Sequence, residues 1–163
     1  PLPEAQVDRF MLKVTIGYPS KAEELLIIRN HIHPSLNQQV NPVISLTDIE
    51  RMRSLVDQIY MDEKIENYIV SLIFATRNPS EHGINDLANF ISFGASPRGS
   101  INLAMAAKAH AFLKGRAFVI PDDVQAMASD VLKHRIGVTY EAEVANLKPE
   151  DLIQQIISRV EVP

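Results

Sequence analysis

Apolar residues return along most of this chain at intervals of three and four, the spacing that lines one face of an α-helix. Ser20 with Glu23 and Thr47 with Glu50 stand at capping-box spacing ahead of two such runs, and predict helices over 20–32 and 47–59. Ile49, Met52, Val56 and Ile59 share one face of the second. From about Asp62, Ile65, Ile69, Leu72, Ile73 and Thr76 share a face of the next. Ser96 and Pro97 read as N-cap and first residue of a helix that runs to Lys114 and stops at Gly115. Pro121 with Asp122 and Asp123, and later Pro149 with Glu150 and Asp151, open two more, with acids at the positive helix end. Residues 10–18 follow another rhythm. Phe10, Leu12, Val14 and Ile16 alternate with Met11, Lys13 and Thr15, the period of a strand. A lone strand leaves both edges unpaired, so its sheet is expected to lie outside this chain. Between Thr76 and Ser96 only "DLANFI" could hold a short helical turn, and 134–143 is expected to add a short extended piece. The expected fold is mainly α: a bundle of five or six helices preceded by one strand, with the boundary near Tyr18-Pro19-Ser20, hence segments 1–18 and 19–163.

Composition narrows the function. With 163 residues and 46% hydrophobic content, one core is the expectation. A net charge of −4 without any run of Lys and Arg argues against nucleic-acid or membrane-surface binding, and no stretch approaches the roughly 18 apolar residues of a membrane span. The absence of cysteine excludes disulfides and thiolate metal sites and makes the cytoplasm the default location. His31 and His33 lack a third ligand at helical spacing, so no metal site is expected. His110 reads as a packing or capping residue. His134 and Arg135 read as cations favoured at a helix C-terminus, and Met105 and Met127 as core.

Arg98 is the anomaly. A cation in the first turn of a helix opposes the macrodipole, at a cost on the order of 0.3–1 kcal/mol where exposed. At about 100° per residue Arg98 heads the stripe of Ile101, Met105, Ala109 and Phe112, so it is expected to face another part of the protein. An anion between the helix terminus and the guanidinium would stabilise it there. Two anions stay open on spacing alone: a carboxylate of the preceding loop, Glu81 or Asp86, or the γ-phosphate of a nucleoside triphosphate.

The segment "GASPRGS" at the start of that helix resembles the sensor-2 motif of the MoxR-type AAA+ ATPases, and "PLPEAQVDRF" resembles their box VII. "IGYPSKAEELLIIR", "ATRNP" and "AFVIPDDVQAMASDVLKHRI" extend the likeness over nearly the whole chain. Gly99 departs from it, alanine being commoner there. The resemblance implies a helical AAA+ lid behind the last strand of an α/β ATPase core. It implies nucleotide contacts at Arg98 and Ser96, and at Arg9 an arginine finger acting in trans on a neighbouring subunit's ATP. It further implies ATP and Mg²⁺ as ligands, a ring that is often hexameric, and chaperone-like work on a protein client. No G-x-x-x-x-G-K-[ST] loop or acidic Mg²⁺-binding strand occurs in the chain, so by itself it is expected to be inactive, its partner being the missing core. On residues alone Arg9 reads as a surface cation paired with Asp8 or Glu4, and only the resemblance makes it a finger. The competing reading of the whole is a freestanding helical protein-interaction module that never meets nucleotide.

Overall fold

The helix that opens at Pro97 organises the core. In the computed structural model, which describes residues 2–32 and 40–163, the elements run α1 (Glu4–Val7), α2 (Lys21–Ile32), α3 (Leu46–Asp57) and α4 (Glu63–Arg77). Two 3-10 turns (Pro79–His82 and Asn85–Leu87) and β1 (Ile91–Phe93) lead to α5 (Pro97–Leu113). The chain continues through α6 (Pro121–Leu132), β2 (Gly137–Val138), α7 (Tyr140–Val144) and α8 (Pro149–Arg159). The mainly helical class follows from the sequence pattern. The strands form one antiparallel pair, Ile91 opposite Val138 and Phe93 opposite Gly137. Residues 10–18 carry no regular secondary structure: strand geometry needs a ladder partner, whereas the Phe10 amide bonds locally to the Val7 carbonyl (3.1 Å) and the Lys13 amide to that of Asp130 (2.9 Å).

The contacts divide the chain into two units, one of residues 1–13 with 53–163, the other of residues 14–52. The expected boundary at Tyr18–Ser20 falls inside the second. There the Ser20 amide reaches the Glu23 carboxylate at 2.7 Å, the foreseen capping box. The box of α3 lies two residues earlier than foreseen, on Ser45 and Asp48 (2.8 and 3.1 Å). Neither α2 nor α3 buries a residue. Leu25, Leu26, Ile27 and Ile28 stay about half exposed, and Ile49 is exposed while Met52 and Val56 are half-buried.

In the larger unit α5 packs chiefly on α6 and α4, and α8 closes the bundle against α4 and α6. Leu72, Ile73, Leu103, Val131, Leu132, Leu152 and Ile153 are nearly inaccessible to water. The buried face of α5 is not the one the spacing suggested. Gly99, Leu103, Ala106 and Ala107 turn inward, whereas Ile101 and Met105 are 59% and 52% exposed. The helix is apolar on several sides, and its small residues win the interior because they allow closer approach to α4 and α6. A Cβ on Gly99 would lie 3.1 Å from Ala95 Cβ and 3.2 Å from Ile73 Cδ1, which accounts for glycine there. Gly115, at φ 70°, ends α5 in a Schellman turn, its amide on Phe112 and that of Arg116 on Ala111.

Asp123, at the head of α6, joins it to α5. Its fully buried carboxylate accepts from both Arg116 Nη atoms (2.7 and 2.5 Å) and the Ile120 amide (2.9 Å), and lies 2.7 Å from His110 Nδ1. Burial alone would raise this carboxyl, but the hydrogen bonds from Arg116, Ile120 and His110 prevail and hold it at about 2. His110, in the last turn of α5, is held against the head of α6 through Asp123.

Two predictions follow from this packing. A Cβ at Gly94 would meet the Thr76 carbonyl oxygen at 2.4 Å, whereas one at Gly17 meets nothing within 4 Å. In urea unfolding Gly94→Ala therefore costs roughly 1–3 kcal/mol or more, and Gly17→Ala is near neutral. Because the folded value of Asp123 lies below its ordinary 3.8, its ionised form contributes stability above that value that is lost as pH falls through about 2. The contribution is on the order of 2 kcal/mol, and the stability gap between the wild type and Asp123→Asn should shrink between pH 4 and pH 2.

Candidate functional site

The loop before α5 is held at its root by α4. Gly94 lies directly on the last turn of α4, which only a residue without a side chain permits. The Ala95 amide then donates to Thr76 Oγ1 (3.0 Å), and Arg77 Nε donates to the Ala95 carbonyl (2.6 Å) while its guanidinium stacks 5.0 Å from the Phe74 ring. Thr76 in turn donates to the Ile73 carbonyl at 2.6 Å. The segments "ATR" and "GAS" are therefore one structural piece, and they set the direction in which Ser96 starts the helix.

Ser96 caps α5, its Oγ accepting from the Arg98 amide at 3.2 Å and donating to the Asp8 carboxylate at 2.8 and 3.0 Å. Arg98 Nη1 donates to Asp8 Oδ2 at 3.2 Å. The anion expected between the helix terminus and the guanidinium is present, and it is Asp8. Neither loop carboxylate serves: Asp86 pairs with Arg159 instead. The Arg98 side chain is 56% exposed, so it stands at the rim of the lid and not under cover.

The opposite side of Asp8 belongs to Arg135, whose side chain is fully buried. Its Nε donates to Asp8 Oδ1 (3.1 Å), Nη2 to the carbonyls of Asp8 (2.9 Å) and Phe10 (2.5 Å), and Nη1 to the carbonyls of Met11 (3.3 Å) and Val131. His134 Nε2 also lies 2.9 Å from the Phe10 carbonyl and 2.7 Å from Arg135 Nη1, while its Nδ1 is buried without a partner. Burial lowers the His134 pKa, the Phe10 carbonyl opposing and the charge of Arg135 adding to the shift. At Asp8 burial acts upward, but the hydrogen bonds of Ser96 and Arg98 and the charge of Arg135 hold it below the usual carboxylate range.

Asp8, Ser96, His134 and Arg135 edge a cleft of about 180 Å³, which Glu4, Ala5, Phe93 and Gly94 complete. Arg9 lies outside this web. It is exposed, and among the described residues its guanidinium has no ion-pair or hydrogen-bond partner, neither Glu4 nor Asp8. Of the three residues singled out from the sequence, the structure brings Ser96 and Arg98 together and seats Arg9 one residue from their shared carboxylate. His31 ends α2, and His33 lies outside the described residues.

Residues 86–156 match the family model of the AAA lid domain. Over its whole length the chain is 39% identical to the Mycobacterium tuberculosis chaperone MoxR1, of which it covers 43%. The chain is similar to the MoxR-type AAA+ ATPases over its full length, consistent with a C-terminal segment of one. It is also 40% identical to YeaC of Bacillus subtilis, again over its full length, covering 48% of that protein. In the crystal structure of a Cytophaga hutchinsonii protein assigned as an ATPase, 49% of the chain superposes on all of this one, with a TM-score of 0.93 and 40% identity. The chain thus spans about half the length of the relatives it matches.

Sequence reasoning on this lid missed Asp8 and Arg135 as site residues. From the sequence Arg135 reads as a cation favoured at a helix C-terminus, whereas it is buried beneath the N-terminal segment. A signal was available: "VLKHRI" places a permanently charged guanidinium beside apolar residues, and such a group enters a core only with a carboxylate partner. Magnitudes separate the two arginines that share Asp8. Arg135→Ala removes the buried partner of the Asp8 carboxylate and of four main-chain carbonyls, and should cost roughly 3–5 kcal/mol in denaturant unfolding, whereas Arg98→Ala removes a half-exposed pair and should cost about 0–1 kcal/mol.

Proposed function

We propose that this MoxR-type lid closes over ATP bound to an α/β core, that Arg98 detects the γ-phosphate, and that Arg9 serves as an arginine finger for the nucleotide of a neighbouring ring subunit. The observation that carries this reading is the state of Arg98. It sits at the positive end of α5 on a carboxylate that already has a second, buried partner, and its own side chain is more than half exposed. Such an exposed pair is worth little, so a phosphate offering a bidentate, charge-assisted contact can win the guanidinium from Asp8.

ATP and ADP would then differ in their hold on Arg98, and that difference is what biases the lid between two orientations. Ser96, as the cap of α5, keeps the helix terminus open to the nucleotide. The unpartnered Ile101 and Met105, next to Arg98 on α5, suit a surface on which the core docks. Mg²⁺ is assigned to the acidic strand of that core, and no residue of this chain is proposed as its ligand. The work done is the remodelling of protein clients in the cytoplasm by a homo-oligomeric ring, in keeping with the chaperone among the relatives.

One observation favours a second reading, a freestanding interaction module: residues 2–13 pack into the helical unit through Asp8 and Arg135. Kinetics separates the two. In the protein with its ATPase core, Arg9→Ala should lower kcat by roughly 10³-fold or more with little change in nucleotide affinity, and Arg98→Ala should reduce turnover or its response to lid closure. Mixing Arg9→Ala subunits with neighbours that keep Arg9 but lack a working ATP pocket should restore turnover. Failure to restore it would rule out action in trans, and unchanged rates in both variants would favour the interaction module.

A further inference from the structure

Arg135 holds the main chain on both sides of Arg9. Its Nη2 reaches the Asp8 carbonyl at 2.9 Å and the Phe10 carbonyl at 2.5 Å, the two peptide oxygens that bracket the Arg9 residue, and its Nη1 reaches Met11 beyond them. The Nε is bound to the Asp8 carboxylate. A planar guanidinium with five donors in a rigid fork suits this task, because one buried group fixes several acceptors at set angles. His134 adds a second contact to the Phe10 carbonyl. Between these fixed points Arg9 is exposed, and among the described residues its guanidinium has no partner.

We infer that Arg135 and Asp8 are positioning residues for Arg9, fixing the backbone from which it projects to the lid of its own subunit, so that the finger travels with the lid. This rests on the reading of Arg9 as a trans-acting finger. The two partners of Asp8 divide the work. Arg135 is buried and cannot leave, whereas Arg98 is half exposed and can. When Arg98 departs for a phosphate, Asp8 keeps Arg135 and Ser96, and the Arg9 segment stays in place. The subunit's response to its own nucleotide and its service to the neighbour's are thus joined at one carboxylate.

The test uses the ring-forming protein with Arg135→Lys and Asp8→Asn, which keep a polar group at each site; a melting curve for each variant establishes folding. Both should lower kcat by roughly 10- to 100-fold while leaving the KM for ATP within about twofold, since a misplaced finger affects the transition state and not substrate binding. In rings mixed with pocket-inactive subunits that retain Arg9, Asp8 and Arg135, the lost turnover should return, as for Arg9→Ala. A folded Arg135→Lys ring with unaltered kcat would overturn the inference. So would loss of kcat that mixing fails to restore while Arg9→Ala is restored, because the defect would then lie in the variant's own pocket. If Arg9→Ala itself is not restored, the finger reading fails and the inference fails with it. Amide exchange at residues 9–11 gives a measure independent of hydrolysis: it should rise in both folded variants, and unchanged protection would also overturn the inference.

Discussion

A permanently charged group with no access to water needs its full complement of acceptors, and Arg135 has them only because the N-terminal segment supplies most of them. Taking a guanidinium out of water costs several kcal/mol. That cost is offset by the Asp8 carboxylate and by the carbonyls of Asp8, Phe10, Met11 and Val131. The requirement runs both ways: the bundle is incomplete without residues 8–11, and those residues have no sheet in this chain to define their path. The geometry around Ser96 and Arg98 inherits its order from this contact, since Asp8 reaches them only when Arg135 has drawn it in.

A second constraint acts from the other side. The approach of Gly94 to the end of α4 leaves the loop before α5 no freedom, and the bonds from Thr76 and Arg77 to Ala95 set the angle at which the helix departs. Arg98 is therefore presented from a rigid base, although its side chain is the most solvent-exposed member of the cluster's ion pairs. Rigid support under a loosely held tip is what a group needs if it is to exchange one anion for another without reshaping the helix that carries it.

Helices were the legible part of the sequence because their signals are local. Ser96-Pro97, Asp62 and Pro121 each fix a start through the bonds of a single turn, and the structure begins α4, α5 and α6 there. What depends on partners distant in sequence was not legible. The alternation over 10–18 is a strand pattern that finds no ladder. The inward face of α5 is chosen by the fit of Gly99 and its alanines against Ile73 and Leu132, which periodicity cannot rank on a helix apolar all round. Of the site, the guanidinium at the helix start could be read along with the need for an anion beside it. That the anion would be Asp8, 90 residues away, depends on a fold that no window of sequence displays.

The Asp123 carboxylate spans helix, helix and loop by serving His110, Arg116 and the Ile120 amide at once. A hub of that kind admits no piecemeal replacement: losing the acid strands a cation, and losing the cation strands the acid. Among related lids these positions should drift only as a set, an aspartate-free version turning up with an uncharged residue in place of Arg116, and the α5–α6 pair should be inherited as one indivisible block.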